Sequence, residues 1–183
     1  TKFSTQETQI ISLTNYLINS IKDILKSLPY WHQLQKIFLF DIEQIYLANR
    51  YAELLTAHPW LSNSTEAKLY GPYNMGMVAT GMIDLMATKY IYLSELGQCR
   101  TVFLQAQRLG RIGNVLATYE REQQEQDHTN EMAIYCKETH ESLQDYSQAL
   151  VQEHEKGILS IKKTRLKNFN TIDYAQGIEQ LFA

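Results

Sequence analysis

Asn114, Thr118 and Glu122 recur every four residues in the run Arg111-Ile112-Gly113-Asn114-Val115-Leu116-Ala117-Thr118-Tyr119-Glu120-Arg121-Glu122. On a helix of about 3.6 residues per turn, this spacing lines their side chains along one stripe, with Arg111 and Arg121 beside it. Amide, hydroxyl and carboxylate oxygens suit a hard divalent cation, and guanidinium groups are bidentate donors to phosphate. The stripe therefore predicts a site for a metal-diphosphate complex. Taken alone, the same spacing also suits a solvated helix face.

The elements that must position this stripe read as helix after helix, because apolar residues recur at three and four rather than two. Ile10, Leu13, Leu17, Ile21, Ile24, Leu25 and Leu28 form one face of a helix from about Thr5 to Leu28, ended by Pro29. A second helix is predicted from Trp31 to Thr56, stopping before Pro59. Ser62 to Thr65 suits a loop or a helix N-cap, and Gly71-Pro72 breaks the helix that restarts there. A longer apolar segment follows from Asn74 to Leu96. The motif helix then runs from Cys99 to Gln126, and Asp127 to Asn130 makes a polar turn. Further helices are predicted over Asn130 to Lys137, Ser142 to Lys163 and Ile172 to Phe182. The expected fold class is an all-α antiparallel bundle, read as one domain over residues 1–183.

Composition bounds the function. With 44% hydrophobic and 20% charged residues, the 183-residue chain falls in the globular range. A formal net charge of -3 and the lack of a long Lys/Arg block argue against general nucleic-acid binding. The tract Lys162-Lys163-Thr164-Arg165-Leu166-Lys167 reads as a solvated helix end. Cys99 and Cys136 form no CxxC pair, so both are expected to be reduced and buried, in keeping with a cytoplasmic location. The longest uncharged stretch, Leu69 to Ile83, contains Gly, Pro, Asn and Thr, so no membrane span is predicted. The chain opens at Thr1 without a signal-like segment and reads as trimmed or cut from a longer protein.

From Asn114 onward the chain resembles the second metal motif of class I terpene synthases. That motif has the form Asn/Asp-Asp-x-x-Ser/Thr-x-x-Lys/Arg-Glu, often followed by a Gly-Asp-x-x-Asn turn. Asn114, Thr118, Arg121 and Glu122 match it in type, as do Asp127 and Asn130 in the turn, while Val115 and Gln126 depart from it. The resemblance implies that Asn114, Thr118 and Glu122 hold Mg2+, and that Arg121, with Arg111 or Arg108, meets the diphosphate. It also implies a broken helix upstream carrying a basic diphosphate sensor, parts that Gly71-Pro72 and Lys68 fill here. Lys68 stands where the family has Arg, and an ammonium lacks the planar fork. The resemblance covers about Trp31 to the C-terminus.

The chemistry so implied is ionisation and cyclisation of a linear prenyl diphosphate, with release of diphosphate. Such a reaction needs a dry cavity with aromatic walls, because ring quadrupoles attract the cation and water would quench it. Phe38, Tyr46, Tyr73 and Tyr119 are the candidate wall residues; aromatics at helical spacing also serve simply as core. The family's opposing Asp-Asp-x-x-Asp helix has no counterpart, since the chain contains no adjacent Asp pair. Asp41 and Glu43, two residues apart, point in different directions on a helix and read as a solvated face. The family's closing Arg-Tyr pair is also missing. The chain is thus expected to be incomplete at both ends, needing the segment before it, a partner chain or a homodimer to cover its faces.

Two other readings stand beside this one. An inactive terpene-synthase-like subunit or helical interaction module would keep half the motif. A ferritin-like di-iron bundle would need two Glu-x-x-His pairs. Glu125-Gln126-Asp127-His128 supplies one, and His32, His58, His140 and His154 supply no second.

Overall fold

The computed structural model describes residues 4–125, 127 and 129–181. Its centre is the motif helix, which contributes Val102, Ala106, Leu109, Ile112 and Val115 to a buried core. Among the described residues eight helices occur: α1 (Thr5–Lys26), α2 (Trp31–Ala57), α3 (Ser64–Tyr70), α4 (Met77–Ala87), α5 (Leu96–Gln124), α6 (Glu131–Thr139), α7 (Leu143–Lys163) and α8 (Thr171–Gln180). Short 3-10 turns lie at Pro59–Leu61, Gly71–Met75 and Leu93–Glu95. Among the described residues there is no strand, so the all-α expectation holds.

Most helix starts are set by local side chains. Ser4 and Glu7 form a capping box on α1. Asn63, Asn130, Ser142 and Asn170 accept from backbone N–H groups at the starts of α3, α6, α7 and α8. Gly76 takes φ 65° between the Gly71–Met75 turn and α4, a conformation that favours glycine. Gln107 on α5 accepts from the Val78 N–H at 3.3 Å, fastening the start of α4 to the motif helix.

One apolar cluster joins α5, α7 and α8 through Val102, Leu109, Leu150, Ile158, Ile161 and Ile178. A second joins α2 and α4 to the start of α5 through Leu34, Phe38, Met82, Met86 and Phe103. Leu166, Phe169 and Tyr174 pack against both.

Two expectations change. The apolar segment from Asn74 to Leu96 is not one helix: α4 ends at Ala87, and Tyr92 to Leu96 form a turn held by Asn168 and Glu95. On α1, Leu25 is buried, whereas Ile10, Leu13, Leu17, Ile21 and Ile24 are exposed. Asp41 is not solvated. It is buried on α2 and accepts two hydrogen bonds from Arg100 at 2.7 Å each, a bidentate pair that satisfies its charge. Glu43 is exposed, as expected. Cys99 and Cys136 are free thiols, the first buried and the second half-buried. Lys162 pairs with Glu179 at 2.8 Å, and Arg165 donates to the Lys162 and Thr164 carbonyls at the end of α7.

Candidate functional site

Asn114, Thr118 and Glu122 all lie on α5, so the stripe is carried by a single continuous helix. Arg111, one turn earlier, is only 8% exposed. Its guanidinium donates to Asn114 Oδ1 at 2.9 Å and to the Thr129 carbonyl at 3.0 Å, while its buried Nε has no partner among the described residues. Burial pushes its pKa down, against the pull of Glu122, Glu131 and Asp127. The upstream helix break lies directly on this group: a β-carbon at Gly71 would come within 3.2 Å of Nε.

The other two oxygens are also engaged. Thr118 donates its hydroxyl to the Asn114 carbonyl at 2.7 Å, which leaves the hydroxyl lone pairs open. Glu122 is 7% exposed and accepts from Asn130 Nδ2 at 2.7 Å. Asn130 simultaneously caps α6 through the Met132 and Ala133 N–H groups, so one side chain ties the end of the motif to the following helix. Asp127 shapes the turn by accepting from the Thr129 N–H at 2.8 Å, while its own N–H donates to the Glu122 carbonyl at 2.9 Å. Gln126 and His128 lie outside the described residues, and with His128 the Glu-x-x-His pair.

The remaining candidate cations have different surroundings. Arg121 is exposed; it pairs with Glu125 at 2.7 Å and lies 3.6 Å from Glu122. Arg108 is committed to carboxylates. It makes paired contacts with Glu131, one of them at 2.8 Å, and reaches Glu153 at 2.7 and 3.1 Å. Burial alone would lower its pKa, but Glu153 and Glu131 hold it above the usual range. Lys68 is placed with its ammonium 4.6 Å from the Tyr135 ring centre and 5.4 Å from that of Tyr146, a cation–π arrangement on the α3 and α6 side.

Among the described residues, the four aromatics singled out lie in different surroundings. Phe38 is buried in the α2 and α4 core, edge-on to Trp31. Tyr46 is 66% exposed. Tyr73 is half-buried in the Gly71–Met75 turn, and Tyr119 packs on the α5 and α7 core. The cavity that adjoins the stripe has other walls. About 330 Å³ in volume, it is bounded by Met75, Met77, Gly110, Asn114, Ala117 and Ile178. Sequence reading also missed Glu131, a fully buried carboxylate at the first position of α6 that accepts from Tyr146 at 2.9 Å. Its place just after a capping Asn and before Met132 was the available signal.

Asn114, Thr118 and Glu122 fit a magnesium ion in donor type, since all three offer oxygen and each keeps a lone pair beyond its present hydrogen bonds. A single carboxylate leaves most of the cation's charge to be met by phosphate. Among the described residues no three His, Cys, Asp or Glu side chains converge as a metal cluster. No described helix is long and apolar enough to cross a membrane. The chain matches no family model, and neither a curated protein nor a solved structure is significantly similar to it.

Proposed function

We propose that this chain carries the Asn-Thr-Glu half of a class I terpene-synthase-like site, acting within the complete protein on a linear prenyl diphosphate with magnesium. One observation carries this reading: Arg111, a buried guanidinium with an unpartnered Nε, is hydrogen-bonded to the first oxygen of the stripe. Among the described residues no carboxylate contacts it directly, and burying a cation in that way is costly unless an anion offsets it. A diphosphate seated beside Asn114 would do so.

Asn114, Thr118 and Glu122 would hold the metal, which when bound stabilises negative charge developing on the leaving diphosphate. Arg111 orients Asn114 and adds a fixed positive charge, which costs no reorganisation during the reaction. Arg121, at the solvent side of Glu122, can leave Glu125 and meet an outer phosphate oxygen. Asn130 fixes the Glu122 carboxylate, so the third ligand is positioned from the next helix. The apolar cavity beside Asn114 offers the prenyl chain a place away from water. Asn114→Ala and Glu122→Ala in the complete protein should each reduce magnesium-dependent diphosphate release by at least about 100-fold with helicity intact. Full turnover by either variant, read by a pyrophosphate assay, would overturn the assignment.

An inactive terpene-synthase-like subunit or interaction module is the second reading, favoured by the exposed apolar face of α1. Incubating the complete protein with geranyl, farnesyl and geranylgeranyl diphosphates separates the two, because a subunit of this kind releases no diphosphate. A ferritin-like di-iron protein is the third, and stoichiometric iron in purified protein would favour it.

A further inference from the structure

A second cavity lies toward the other end of α5, about 16 Å along the helix from Asn114, since Phe103 precedes it by eleven residues at ~1.5 Å each. It measures about 290 Å³ and is lined by residues of α4, α5, α8 and the segment before α8. Three rings contribute to its wall. Phe103 and Phe169 stack with centroids 5.4 Å apart, and Tyr174 meets them edge-on at 5.8 and 5.4 Å. Gly81 makes this possible, because a β-carbon there would come within 2.7 Å of the Phe103 ring.

The same wall carries two carboxylates, Asp84 and Asp173, and no lysine or arginine among the described lining residues. Asp173 accepts from Asn170 through Oδ2 at 2.7 Å, leaving Oδ1 open. Among the described residues, Asp84 has neither a hydrogen bond nor an ion pair; its side chain is exposed, and partial desolvation by the cavity wall pushes its carboxyl above the usual range. The Tyr174 phenol is pushed up to about 12, first by burial and then by the charge of Asp84. Ring quadrupoles and carboxylates both attract cations, and a cavity of this size admits only a small one.

We infer that this cavity binds a small alkylammonium ligand, seated against the Phe169 and Tyr174 rings with its charge beside Asp84 and Asp173. The site is independent of the diphosphate reading and uses none of its residues. Choline serves as the probe, with dimethylbutanol as its uncharged carbon isostere. Titrating choline into the 183-residue chain should move the backbone amide signals of residues 81–88 and 168–174 along a saturable curve. Dimethylbutanol should leave them unsaturated over the same range. Asp84→Asn, at an exposed position, should weaken choline about five- to tenfold, the scale of one half-buried charge or ring contact. Tyr174→Leu should do the same while keeping the apolar bulk. Non-saturable choline shifts, equal binding of the uncharged isostere, or unchanged affinity in Asp84→Asn would each overturn the proposal.

Discussion

Arg108 and Arg111 stand three residues apart on α5, yet their surroundings are opposite. Arg108 meets Glu131 and Glu153 through four hydrogen bonds, and Tyr146 completes the network by donating to Glu131. Among the described residues, Arg111 meets an amide oxygen and a backbone carbonyl, and one of its buried nitrogens is left over. Carboxylates raise the pKa of the first, whereas burial lowers that of the second. The difference teaches that the helix carries one arginine that the fold pairs directly with carboxylates and one that, among the described residues, feels carboxylates without a direct pair. An external anion would complete only the second.

Substitution should break the two apart. Arg108→Met leaves Glu131 buried without its cation and should cost about 3–5 kcal/mol, read as a fall in the denaturation midpoint. Adding Glu131→Leu should recover much of that loss; no recovery would show that the cost is packing rather than charge. Tyr146→Phe should cost about 1–2 kcal/mol, because Glu131 loses one donor while keeping Arg108. Arg111→Met removes a buried charge along with two hydrogen bonds, so the terms offset and stability should move by less than about 1 kcal/mol. The same variant should weaken magnesium pyrophosphate in calorimetry by more than about tenfold, the scale of one charge-assisted contact. A stability loss equal to that of Arg108→Met would place Arg111 with the structural network instead. Smallest is Arg121→Ala, which removes an exposed pair with Glu125 and should change the midpoint by no more than about 0.5 kcal/mol.

Much of the architecture was legible because it is local. The spans of α1, α2, α5 and α7 follow from apolar spacing of three and four, and their ends follow from Pro29, Pro59 and the capping Ser142. The apolar run after Asn74 misled for a physical reason. Hydropathy does not separate a helix from an apolar turn, and the Tyr92 to Leu96 turn is fixed by Asn168, more than seventy residues later in the chain. The stripe on α5 was legible as spacing, but Asn130 as the group holding Glu122 was not, since it lies eight positions further on, beyond the end of α5.

By itself the sequence determined the helices, the caps and the placing of Asn114, Thr118 and Glu122 on one face, because these depend on neighbours within a turn or two. Only the tertiary structure decided which charges are satisfied. It paired Asp41 with Arg100 and Arg108 with Glu131 and Glu153, set Lys68 over two tyrosine rings, and left Arg111 buried against Gly71. It also left the apolar face of α1 exposed. Partners of this kind come from distant parts of the chain, and desolvation, which makes them matter, exists only once those parts have packed.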